Sequence, residues 1–193
     1  MRITAIMTLA AAAAAFGAAQ ARTVKVCMED VHQIQVAFAA QTASNIFAAI
    51  GVEVEWRSDR LCPSSLDVIR VSISFQPDET QRPNALAYAL PFEGSHIVMF
   101  YDRVKHSARS FSVPENEVLA YVLVHEITHI LQGLNHHSTT GIMKAHWKSA
   151  EYWGMHSRAL QFTAEDVDLI YRGLDSRASR FARINARAFL TAQ

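Results

Sequence analysis

The chain has 193 residues with 18 basic and 18 acidic side chains, a length that suits one domain with its own apolar core and a charge balance that excludes nucleic acid as a partner. Its hydrophobic content of 50% is raised by the opening residues, and no later apolar run is long enough to span a membrane.

Residues 1–21 have the form of a signal peptide. Arg2 is followed by an apolar stretch with Ile3, Ile6, Leu9, an alanine run from Ala10 to Ala15 and Phe16, and then by Ala19-Gln20-Ala21, small residues where a signal peptidase cuts. Removing that segment predicts a mature chain from Arg22, exported to the periplasm or beyond the cell, with 17 basic against 18 acidic residues and so a net charge of −1. An oxidising compartment would let the only two cysteines, Cys27 and Cys62, form a disulfide.

Beyond the leader, residues 23–27 alternate as a strand does. Residues 32–50 place Ile34, Phe38, Ile46, Phe47 and Ile50 at helical spacing ahead of Gly51. Residues 52–56 alternate valine with glutamate as a half-buried strand, and the β-branched residues of 66–75 predict another. Residues 85–90 and 96–101 resemble two further strands joined through Pro91-Phe92-Glu93-Gly94. Ser112 with Glu115 forms a capping-box pattern before a long apolar run over 118–131, a buried helix that Gly133 would end. Residues 135–158 show no clean period and predict an ordered loop, in which Trp147 and Trp153 pack. Thr163 then caps a final helix from Ala164, with Glu165 and Asp166 in its first turn where the dipole favours acid. In residues 172–187, arginines 172, 177, 180, 183 and 187 alternate with Leu174, Ala178, Phe181 and Ile184; the ordinary form of such a pattern is a surface helix with a solvated charged face, and an anionic membrane surface is the alternative.

The buried helix carries His125-Glu126-Ile127-Thr128-His129. Residues four apart lie on one helix face, so both imidazoles reach a single metal, while Glu126, turned about a hundred degrees around the axis, stands beside the metal's open position, where a general base is needed. Histidines among Val122, Leu123, Val124, Ile130 and Leu131 would be costly to bury without a shared partner. Neutral imidazoles suit catalytic zinc, whereas Cys27 and Cys62 lack the spacing of a structural zinc site.

Downstream stand Gly133, His136, His137, Ser138, Gly141, Ile142 and Met143, and with them the sequence resembles the metzincin clan of zinc peptidases. Gly133 falls one residue later than in that pattern. Counting from the glycine selects His136 as third ligand. The His-Ser pair before Gly-Ile-Met is similar to the matrixin arrangement and to small secreted bacterial metzincin-like proteins, and selects His137, the choice preferred here, with Met143 as the methionine of the turn beneath the metal. The resemblance implies an α+β zincin fold: a mixed, mostly parallel twisted sheet, an active-site helix and a C-terminal helix, in one catalytic domain over residues 22–193. It also implies that residues 85–90 form the sheet edge that holds an extended peptide.

The expected activity is therefore a secreted zinc endopeptidase acting on peptides or proteins, with Glu126 as general base and Tyr152, His146 or His156 as candidate donors to the oxyanion. Two rivals remain at this stage. One is a gluzincin-type site using Glu165 or Glu151 as third ligand. The other is a secreted zinc-binding or interaction domain without turnover, against which the retained Glu126 argues.

Overall fold

A computed structural model describes residues 22–28, 34–58, 67–75, 85–90 and 95–191, with the side chains of 34, 185 and 187–191 left aside. The expected signal peptide and Cys62 lie outside the described residues; Cys27 is buried and disulfide-bonded.

Five strands form one sheet in the order β2-β1-β3-β5-β4. Strand β1 (Arg22–Met28) lies between β2 (Val52–Ser58) and β3 (Val68–Ser74), parallel to both, and β3 is parallel to β5 (His96–Phe100). The short β4 (Ala87–Ala89) pairs antiparallel with β5 and ends the sheet. The expected mixed, mostly parallel sheet with an edge strand near residues 85–90 is what the chain forms. Central β1 buries Val24, Val26 and Met28, while edge β2 keeps the alternation of buried Val52 with exposed Glu53 and Glu55.

Helix α1 (Ile34–Ala48) links β1 to β2 and packs on α3 (Glu115–Gln132). Its inward stripe is Val36, Ala39, Ala40, Ala43 and Phe47; of the expected residues Phe47 is fully buried, Ile46 and Ile50 pack against the core, and Phe38 is 58% exposed. Alanines bring a helix closest to its neighbour, which is why they take the inward positions. Residues 101–111 form a helix that the strand expected over 96–101 obscures: α2 (Tyr101–Phe111) buries only Tyr101, Val104 and Ala108, its other residues being polar apart from the exposed Phe111.

Ser112 does not cap α3. It adopts a left-handed conformation (φ 54°) at the C-terminus of α2, its N–H directed to the carbonyls of Ala108 and Arg109. Pro114, with φ −55° and ψ 136°, begins α3 instead, and Glu115 and Glu117 face the positive end of the helix dipole. Residues 135–158 are not all loop: α4 (Ser149–His156) starts where the Glu151 carboxylate accepts the Lys148 N–H at 2.7 Å. Trp153 on α4 is 69% exposed and packs no loop.

Thr163 and Asp166 cap α5 (Ala164–Thr191) reciprocally, through Asp166 N–H to Thr163 Oγ1 at 3.1 Å and Thr163 N–H to Asp166 Oδ2 at 2.9 Å. No helix among the described residues is long and apolar enough to cross a membrane.

Helix α5 crosses α3 at Gly173, where an added Cβ would stand 1.9 Å from the Leu131 carbonyl oxygen. Backbone rather than a movable side chain fills that space, so Gly173→Ala must push the helices apart. Urea unfolding should show a loss of about 1–3 kcal/mol for this variant, and an unchanged midpoint would mean that the crossing is looser than the contact implies.

Candidate metal centre

The second half of α3 is buried along its length, and His125, Glu126, Thr128, His129 and Gln132 are its polar members. Thr128 is satisfied within the helix, its hydroxyl donating to the Val124 carbonyl at 2.7 Å. Each histidine is tied from outside the helix. His125 Nδ1 lies 2.9 Å from the Ile142 carbonyl and His129 Nδ1 lies 3.1 Å from the Leu134 carbonyl. A carbonyl oxygen only accepts, so both Nδ1 atoms carry the proton and both Nε2 atoms keep a lone pair. Those two Nε2 atoms face one another at 3.1 Å. His137 completes the group: one ring nitrogen from each of His125, His129 and His137 lies within 4.8 Å of the others.

Backbone chemistry between 133 and 144 brings His137 there. Gly133 ends α3 at φ 65°, and its N–H donates to the His129 carbonyl. Ser138 N–H donates to the Met143 carbonyl at 2.9 Å, and Ser138 pairs with Lys144 in an isolated parallel bridge. Ile142 N–H donates to the Gln161 carbonyl at 3.0 Å. Gly141 sits at φ 75°, where a Cβ would come within 2.5 Å of that same Gln161 oxygen, so the position requires glycine for both conformation and space. The Ser138 hydroxyl donates to Asp166 Oδ1 at 2.5 Å, which ties the residue beside His137 to the start of α5. Ile142 and Met143 are fully buried, and the Ile142 carbonyl orients His125.

His136 is outside the three-imidazole group; its Nε2 is buried with no partner among the described residues. The other expected donors are engaged elsewhere or open to solvent. Tyr152 is buried, stacked on Phe111 at 4.0 Å and hydrogen-bonded to Ser107, His156 contacts Glu117 at 3.1 Å, and His146 is exposed. Glu151 pairs with Lys144 at 2.5 Å and Glu165 is exposed in the first turn of α5, so neither carboxylate joins the group. Sequence reasoning missed Asp166 as an anchor of the His137 loop. It also missed Trp147 as a contact of His125, with ring centroids 5.4 Å apart and planes at 84°.

Burial sets the electrostatics. It lowers His125 to about 3, helped by the neighbouring His129, and lowers His129 to about 4. His137 is also lowered, by partial burial and by His136 and His146 nearby. Burial raises Glu126 to about 8, although the Ala89 N–H of edge strand β4 donates to its carboxyl group. Without a cation at this place, three imidazoles are neutral and Glu126 holds a proton near neutrality.

No protein-family model and no curated protein matches the sequence. Among solved structures, the chain is similar to the crystal structure of archaemetzincin from Methanopyrus kandleri, with a TM-score of 0.59 and 13% identity, over 81% of this chain and 98% of that one. At this identity the likeness is one of fold.

The opposed shifts predict how the stability of metal-free protein depends on pH. Glu126, raised from 4.5 to about 8, contributes stability that is complete below the lower value and is lost as pH rises through the upper one. His125 and His129, lowered from 6.5 to about 3 and about 4, contribute stability that is present above 6.5 and is lost as pH falls through the lower values. Two imidazoles outweigh one carboxyl below 6.5 and drop out above it, so the melting temperature of chelator-treated protein should peak near pH 6.5. Glu126→Gln should flatten the alkaline side and steepen the acid side between 4.5 and 6.5, where the Glu126 contribution opposes that of the histidines. An alkaline fall that persists in this variant would assign it to other groups.

Proposed function

We propose that this chain is a zinc-dependent peptidase, exported through a signal peptide at residues 1–21 and active as a single catalytic domain over residues 22–193, in the periplasm or outside the cell. The observation that carries the reading is the pair of facing Nε2 lone pairs on His125 and His129, 3.1 Å apart, with His137 beside them. Two neutral acceptors at that distance repel unless a cation lies between them. Imidazoles lowered this far do not retain a proton at neutral pH, so a metal is the cation that fits. Three nitrogen ligands suit zinc with an open position. The archaemetzincin fold likeness points to the same metzincin group as the sequence motif.

In this reading His125, His129 and His137 hold the ion, and the Ile142 and Leu134 carbonyls fix the two helix histidines in the ligating tautomer. When bound, zinc would lower the pKa of a coordinated water to about 7 and polarise the scissile carbonyl. The same positive charge would bring Glu126 down from its raised pKa into the range where it accepts a proton. Glu126 takes that proton from the attacking water as the new C–O bond forms, and returns it to the amine nitrogen as the C–N bond breaks. The Ala89 N–H steadies its carboxylate. The outer edge of β4, last in the sheet among the described residues, would offer its remaining main-chain groups to an extended peptide and so place the substrate beside Glu126. Met143 is the turn methionine beneath the metal.

Zinc-loaded protein from Arg22 should cleave members of a broad protein mixture, read as new amino termini by mass spectrometry. Glu126→Gln should bind zinc with the parent's stoichiometry and lose about 10²–10⁴-fold in kcat. In equilibrium dialysis His137→Ala should lose the ion and His136→Ala should keep it; the reverse pattern would refute the ligand set. Zinc binding without cleavage by the parent would leave a binding domain and sink the peptidase reading.

A further inference from the structure

Charge is divided unevenly along the chain. Residues 176–193 hold four of the 18 basic residues and none of the 18 acidic ones, giving this end +4 and the remainder −4. The structure adds where that charge sits. The first part of α5 packs as a surface helix should, burying Asp166, Ile170 and Arg177 and closing on α3 at Gly173. Continued at helical spacing, the same stripe passes through Phe181, Ile184 and Ala188. Among the described residues no core lies beneath it there: Ala178, Ala182 and Ala186 are exposed, Phe181 is only half-buried, and Ile184 is 40% exposed. Arg180, Arg183 and Arg187 recur three and four residues apart and form a second stripe alongside the first. Arg180 and Arg183 are exposed. With no acidic residue in this half of the helix, pairs between neighbouring turns do not neutralise them.

We propose that this half of α5 docks on an anionic lipid bilayer, lying in the interface with Phe181 and Ile184 toward the acyl chains and Arg180 and Arg183 on the headgroups. Both stripes must be satisfied together, and that requirement selects the partner. Nucleic acid offers the arginines phosphate but gives Phe181 and Ile184 no apolar layer to enter. A second copy would cover the apolar stripe but would set one +4 segment against another. An anionic bilayer supplies apolar depth and negative charge in one surface, and a helix of this kind needs no membrane-spanning length to bind it.

The test is co-sedimentation of zinc-loaded protein from Arg22 with phosphatidylcholine vesicles, with and without phosphatidylglycerol. The protein should pellet with the anionic vesicles, remain in solution with the neutral ones, and be released by salt. Each arginine near an anionic surface is worth about five-fold in affinity, so Arg180→Ser with Arg183→Ser should weaken binding about 25-fold. Ile184→Asp should weaken it by placing a charge within the apolar stripe. These positions are exposed and lie outside the metal centre, so unchanged zinc stoichiometry and circular dichroism would show that the fold is kept. Failure to bind anionic vesicles, equal binding to neutral ones, or equal binding by the double variant would overturn the proposal. A dimer in sedimentation equilibrium that leaves vesicles unbound would do so as well, and would assign the stripe to a second copy.

Discussion

Two imidazole lone pairs held 3.1 Å apart on one helix face are the constraint around which this protein is arranged. Left alone, His125 and His129 would turn to relieve their repulsion, so the surroundings must fix them. Two carbonyls do so, each from a segment that follows α3: Leu134 from the helix exit and Ile142 from the turn that precedes Met143. The helix interior cannot supply such acceptors, because its own carbonyls are already engaged along the axis. The chain must leave α3 and return beneath it before the pair is stable.

That return is anchored at a distance. Asp166 is fully buried at the start of α5, where its carboxylate caps the helix and also accepts the Ser138 hydroxyl. Gln161 holds the other side of the turn through the Ile142 N–H, with Gly141 the only residue type that leaves its carbonyl room. The close crossing of α5 on α3 at Gly173 keeps these anchors in register with the histidines. His137 itself is exposed and has little packing of its own. Its position follows from Ser138, one residue on, and through Ser138 from a helix that begins 26 residues later than His137 with its cap at Thr163.

Metal-free, the centre is costly. Burial strips His125 and His129 of charge and keeps a proton on Glu126, so the groups that would do chemistry are held in forms unsuited to it. A dication would reverse every one of these preferences: the neutral imidazoles become ligands and the carboxyl group ionises. Stability and reactivity are then linked through one ion, an arrangement common where a site is less stable than its surroundings.

Local patterns decided part of this in advance. Spacing of four on a continuous apolar helix put two histidines on one face and a carboxylate beside them, because helical geometry is fixed by the backbone alone. Alternation and β-branching located the five strands, and the side-chain capacities of Thr163 and Asp166 marked the start of α5. Helices α2 and α4 escaped notice because each buries only three residues, and their polar faces hide a weak period. Ser112 misled, since a serine three residues before a glutamate fits a helix start as well as the left-handed end of the preceding helix. On α1 the expected stripe holds at Phe47 and fails at Phe38, because burial there also follows small residues, which only a close neighbour makes apparent. Between His136 and His137, adjacent in sequence and alike in chemistry, local pattern offered two answers. Which imidazole turns toward His125 and His129 depends on where Ser138 is held, and hydrogen bonds to Met143 and Asp166, absent until the chain has folded, decide that.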